Sequence, residues 1–251
     1  MKTNIYKPIK ETLDNSLVTS FCLALILVIL LFVSQNNSVN NSSTLEISEK
    51  EKAVFVESVK RVTSKLNRKL KYKQALLNKL AAEQVNNRFH SSQDKAKLDK
   101  LAKEFGLPKY QPSIDSEELQ RRIDVIPQSL IIAIAAYESN WGRSITSKRL
   151  NNLFIKSCMD SLCVDKRHSR LIGTSKASQR FDDFSGSIES FMKAINTRPE
   201  FEPLRNARAG FKRRGQLVNG SRLLKSIEGS LHFDKATVLV ITSLLADNKL
   251  K

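Results

Sequence analysis

Beyond residue 49 the apolar positions of this chain recur at helical intervals, with little of the two-residue alternation of strands. Phe55, Val59, Val62, Leu66, Leu70, Leu77 and Leu80 follow at three-, four- and seven-residue steps, which predicts one apolar stripe along a long helix whose other faces are basic. Ser91 and Asp94 have capping-box spacing, with Asp in place of the usual Glu. Behind them Leu98, Leu101, Ala102 and Phe105 form a second, shorter stripe that stops at Gly106, so the two stripes predict a helical hairpin. Pro108 and Pro112 then break the chain, and Glu117 to Ile123 offers a short helix. From Pro127, suited to a first helical turn, the run Leu130 to Ala136 is apolar on every side, as a fully buried helix requires.

Further on, Ile188, Phe191, Met192 and Ile195 mark another helix, closed by Asn196-Thr197-Arg198-Pro199. Phe201 to Arg208 starts the next, and Leu217, Leu223, Leu224 and Ile227 are expected to share a further one. Asp234 is placed to cap a last helix with Val238, Ile241, Leu244 and Leu245 inward. Only Asp165 to Ser178, basic, aperiodic and containing Gly173, leaves room for a short hairpin. The expected fold is therefore mostly α, helix packed on helix, with at most one short β-hairpin.

The N-terminal part follows another pattern. Residues 1–16 are polar, residues 17–34 almost wholly apolar, and residues 35–49 rich in Asn and Ser without periodicity. The apolar segment lies near the lower limit for crossing a hydrocarbon core of roughly 30 Å. A cleaved signal peptide usually has a shorter apolar region, and no small-x-small site follows Val33. An uncleaved signal anchor is the preferred reading. Lysines precede the segment and the next basic residue is Lys50, so the positive-inside rule leaves the N-terminus cytoplasmic and exports the rest. The expected organisation is a cytoplasmic stretch (1–16), a single-pass transmembrane helix (17–34), a tether (35–49), a helical extension (50–112) and a C-terminal domain (113–251).

Charge narrows the partners. Lys and Arg number 42 against 25 Asp and Glu, a net charge of +17, which suits a polyanion: nucleic acid, anionic lipid headgroups or an acidic wall polymer. There is no zinc-ligand spacing, phosphate-binding glycine loop or RNA-binding aromatic signature, and the basic residues are scattered, so nucleic acid is not the expected partner. No metal and no organic cofactor is expected. In an exported domain the close pair Cys158 and Cys163 reads as a disulfide in preference to free thiols.

The most chemical stretch is the end of the apolar run. Glu138 arrives there, with Trp141, the only tryptophan, one turn later and Gly142 available to break the helix. A carboxyl held against apolar and aromatic surface ionises less readily, which is how a glutamate is kept as a general acid. The plainer alternative is a helix-end carboxylate paired with an arginine such as Arg143. Asp182 and Asp183 read as capping or charge-pairing residues at the start of the Ile188 helix, in preference to a second catalytic carboxyl, for which Asp165 is a candidate by neighbourhood as well.

The words Glu138-Ser139-Asn140-Trp141-Gly142 and Asn151-Asn152-Leu153-Phe154, in that order, resemble those of bacterial peptidoglycan glucosaminidases, most of all the Bax-type glucosaminidase-like proteins. The resemblance runs over roughly residues 50 to 245. It implies a lysozyme-like fold for the C-terminal domain and hydrolysis of peptidoglycan glycan at N-acetylglucosamine, in the periplasm beside the inner membrane. Glu138 then matches the catalytic acid, and Tyr137, Trp141, Asn151, Asn152 and Phe154 the sugar-binding cleft. A non-catalytic wall-binding module with the same groove is the alternative. Two departures stand out: Leu171 to Arg180 has no acid where related proteins carry a second carboxylate, and Ser230-Leu231-His232-Phe233 replaces a tyrosine-serine word.

Overall fold

The computed structural model describes residues 47–85, 91–108, 112–154, 179–230 and 233–247. The segment 17–34, the pair Cys158 and Cys163 and the expected hairpin at Asp165 to Ser178 lie outside them. Helix α1 spans Glu49–Val85, α2 Ser92–Glu104, α3 Pro112–Arg122, α4 Gln128–Ser139 and α5 Ile145–Leu150. After the undescribed stretch come α6 (Phe184–Thr197), a 3-10 turn (Pro199–Phe201), α7 (Glu202–Arg213), α8 (Gly220–Lys225) and α9 (Lys235–Asp247). Among the described residues there is no strand, only an isolated antiparallel bridge between Ser230 and Phe233. Among the same residues no helix is long and apolar enough to cross a membrane.

The apolar run becomes the central helix. Leu130, Ile131, Ala133, Ile134 and Ala135 in α4 are wholly buried, and α1, α8 and α9 pack around them. At roughly 1.5–3 kcal/mol for each large aliphatic side chain, this burial outweighs the modest helix propensity of the isoleucines. The predicted stripe on α1 divides between two cores. Val59 and Leu66 join the α4 core, while Leu77 and Leu80 meet Leu98, Leu101, Phe105, Leu119 and Ile123 in a second one, as the hairpin pattern required. Residues 48–251 form one compact unit.

Caps set several boundaries. Ser91 Oγ accepts from Asp94 N at 3.2 Å ahead of α2, and Asp234 Oδ1 from Thr237 N at 2.7 Å ahead of α9. Pro112 opens α3 where the sequence suggested only a break, and Pro127 sits at the cap with φ −53° and ψ 129°, one residue outside α4. Leu217 departs from expectation: Asn219 Oδ1 accepts from Arg222 N at 3.0 Å, so α8 begins after it. Leu217 stays in the preceding loop, 77% exposed.

Two buried arginines tie the helices together. Arg205 Nη1 donates to the carbonyls of Ile195 (3.0 Å) and Arg198 (2.7 Å). Arg208 donates to Arg121 O (2.7 Å), Val125 O (3.2 Å) and Asn196 Oδ1 (2.9 Å). Its Nε lies 3.2 Å from Asp124 Oδ2, an ion-pair distance without hydrogen-bond geometry. Burial lowers the pKa of Arg208 to about 10, with Asp124 opposing the shift and Arg205 adding to it.

Candidate active site

The site grows out of the way α4 stops. Asn140, Trp141 and Gly142 all have positive φ (49°, 55° and 80°), a left-handed run that asparagine and glycine adopt readily and that costs energy at Trp141. Ser139 holds the turn. Wholly buried, its hydroxyl donates to Ala135 O at 2.6 Å and accepts from Gly142 N at 2.8 Å. Trp141 N reaches back to Ala136 O (2.9 Å) and Ser144 N to Ser139 O (2.8 Å). A Cβ at Gly142 would also stand 3.3 Å from the Phe55 ring, which would have to shift by a few tenths of an ångström to admit it.

This turn forms one wall of an open cleft of about 480 Å³. Trp141, Gly142 and Arg143 stand on one side, Asn151 and Phe184 beyond them, and Lys50, Glu51, Val54 and Phe55 of α1 opposite. Phe55 meets Trp141 edge-on, centroids 5.8 Å apart, and Lys52 Nζ lies 5.7 Å from the same indole. Glu138 is half-buried in the last turn of α4. At this helix end it is Trp141, Gly142 and Arg143, just after Glu138, that line the cleft, and Glu138 stands behind them.

The other predicted site residues separate into two groups. Tyr137 is 40% exposed with its hydroxyl 3.4 Å from Thr237 Oγ1 on α9. Asn151, the left-handed end of α5 (φ 52°), lines the cleft, and its amide donates to the carbonyls of Phe181 (3.0 Å) and Asp182 (2.8 Å). Asn152 and Phe154 are buried beneath the wall instead of on its surface. Asn152 donates to Gln179 O at 3.0 Å and accepts from Phe154 N at 2.9 Å, and Phe154 stacks on Phe191 at 4.1 Å in the core. The left-handed cap at Asn151, with Asn152 N bonded back to Thr146 O at 3.3 Å, reverses the chain just before these residues.

Carboxylates near the cleft are occupied. Asp183 caps α6, accepting from Ser185 N (2.7 Å) and Gly186 N (3.3 Å). The Ser185 hydroxyl and amide hold its pKa below the ordinary value, exposed as it is. Glu51, which the sequence reading passed over, accepts from Ser48 N (3.0 Å) and Ser48 Oγ (2.9 Å). Those bonds lower its pKa, with Arg143 contributing. The signal was present as a capping box, Ser48-x-x-Glu51; that it opens onto the cleft depends on how α1 packs.

Residues 114–221, from α3 to the start of α8, match the family model described as mannosyl-glycoprotein endo-beta-N-acetylglucosaminidase (Glucosaminidase). The chain is 26% identical over 162 residues to the Escherichia coli (strain K12) protein named Protein bax, covering 63% of this chain and 57% of that protein. The match thus spans little more than half of that curated relative. Among solved structures, the catalytic domain of the autolysin Auto from Listeria monocytogenes aligns over 86% of this chain and 94% of its own at 17% identity. The TM-score is 0.40, a loose likeness.

Proposed function

We propose that this Bax-type glucosaminidase-like protein hydrolyses peptidoglycan glycan at N-acetylglucosamine linkages, with Glu138 as the general acid. The observation that carries the reading is the left-handed Asn140-Trp141-Gly142 turn immediately after Glu138, strained at Trp141, locked by a buried serine and opening onto a cleft that the matched region shares with α1. Backbone strain of this kind persists where its surroundings over-determine it, and it clusters at functional sites.

Glycosidic cleavage needs a proton on the leaving oxygen and stabilisation of an oxocarbenium-like centre. Glu138 supplies the proton. Trp141 offers ring surface to the sugar, and Asn151 fixes the wall that carries Phe184. In keeping with the sequence reading, the domain acts in the periplasm, held at the inner membrane by residues 17–34. Glu138→Gln is expected to lower glycan release from purified sacculi by about 10²–10⁴-fold while the thermal melt is unchanged. Mass spectrometry of the soluble products reads the outcome, and undiminished release would remove Glu138 from the role.

A specific observation supports a second reading, a wall-binding module without turnover. Glu51, which lines the cleft, is engaged in a helix cap, as is Asp183 at the start of α6, and the Trp141 ring is met by Phe55 and Lys52. Sedimentation of the wild-type protein with sacculi, with no soluble sugar released, would favour this alternative.

A further inference from the structure

At the end of α4 opposite the cleft, two acid-free stretches of the chain converge. Residues 58–82 of α1 and residues 203–227 contain no Asp or Glu. They meet where Arg68 and Lys71 of α1 face Lys212 and Val218 across a groove of about 370 Å³ beside Pro127. The loop between α7 and α8 adjoins this groove. There the Arg214 and Arg222 guanidinium groups lie 5.3 and 5.5 Å from the centroid of one ring, Phe211. Arg214 Nε donates to Gln216 Oε1 at 3.3 Å and Arg222 Nη1 to Leu217 O at 3.4 Å.

Neighbouring acids serve other cations. Asp124 is buried against Arg208 and Lys212, and Glu117 lies near Arg121 and Arg213. Two like charges gathered on one aromatic ring repel each other, and a bound anion relieves that repulsion. Charge alone would suit any polyanion. Between these arginines, however, Leu217 projects 77% exposed at the loop. An exposed apolar side chain on a loop that carries two arginines matches a bilayer interface, where phosphates lie beside acyl chains. A glycan polymer or nucleic acid would leave that leucine without an apolar partner.

We propose that the α7–α8 loop docks on an anionic phospholipid surface, with lipid phosphates taken by Arg214 and Arg222 and Leu217 entering the headgroup layer. Arg68 and Lys71 extend the contact along α1. Since α4 spans twelve residues, about 18 Å of helix separates this patch from the Trp141 turn, and docking leaves the cleft away from the lipid. The inference is independent of the role of Glu138.

The test uses the full chain with Trp141→Phe and Leu217→Trp, reconstituted into bilayers of phosphatidylcholine with or without phosphatidylglycerol. Brominated lipid is expected to quench the new indole in anionic bilayers and several-fold less in neutral ones. Raised salt and the pair Arg214→Glu and Arg222→Glu should each abolish the difference; the pair Arg214→Gln and Arg222→Gln, checked by thermal melt, serves if charge reversal disturbs folding. Equal quenching in both bilayers, or quenching indifferent to the arginines, overturns the proposal. So does an absence of quenching in both, including the case in which the same arginines govern retention on sacculi or nucleic acid, which would assign the patch to a polymer.

Discussion

Ser139 carries more of the site's geometry than its size suggests. Its hydroxyl is the link between the last turn of α4 and the left-handed residues that present Trp141. Ser139→Ala leaves Gly142 N without its acceptor in a part-buried turn, and a destabilisation of about 0.5–1.5 kcal/mol is expected in urea unfolding, with weaker binding to sacculi. Asp183 offers a pH test. Its folded pKa is lowered by the Ser185 hydroxyl and amide, so its capping contribution is complete above the ordinary aspartate value and is lost as pH falls through the lower folded one. Thermal stability should decline at acid pH, and Asp183→Asn should remove part of that decline.

Among the elements, α4 and α8 approach closely enough to exclude a methyl group. A Cβ at Gly220 would lie 2.8 Å from Ser129 Oγ and 3.0 Å from Leu130 N. The serine can rotate away but the backbone nitrogen cannot. Gly220→Ala is therefore expected to cost about 1–3 kcal/mol by overpacking, read from the shift in denaturation midpoint. The helices themselves were legible because their apolar periods are long and their caps explicit: Ser91, Asp183 and Asp234 each accept from the amides of the turn they precede. Leu217 was misread because its spacing to Leu223 and Leu224 imitates a helix, while the Asn219 cap starts that helix later. An apolar period does not reveal which of two nearby caps is used.

On the scale of the molecule, the buried ion pair of Arg208 and Asp124 joins α7 to the linker before α4, and Asn196 draws in α6. Arg208→Met leaves the buried Asp124 without its buried cation and with the half-exposed Lys212 in its place, so a loss of about 3–5 kcal/mol is expected. Lys212→Met, removing a cation that is 43% exposed, should cost at most about 1 kcal/mol. The two melts together test whether burial or charge count decides the strength of this junction.

By itself the sequence determined the helical class, the buried character of α4, the position of Glu138 at its end and the capping roles of Asp183 and Asp234. All are local properties: period, cap chemistry and the ending of an apolar run act within a few residues. The tertiary structure decided which side chains face outward. It sent Asn152 and Phe154 into the core, brought Lys50, Glu51 and Phe55 to face Trp141 from some ninety residues away in the chain, and gathered the basic stretches at the far end of α4. Those outcomes depend on how helices distant in sequence pack against one another, and no local pattern encodes such contacts.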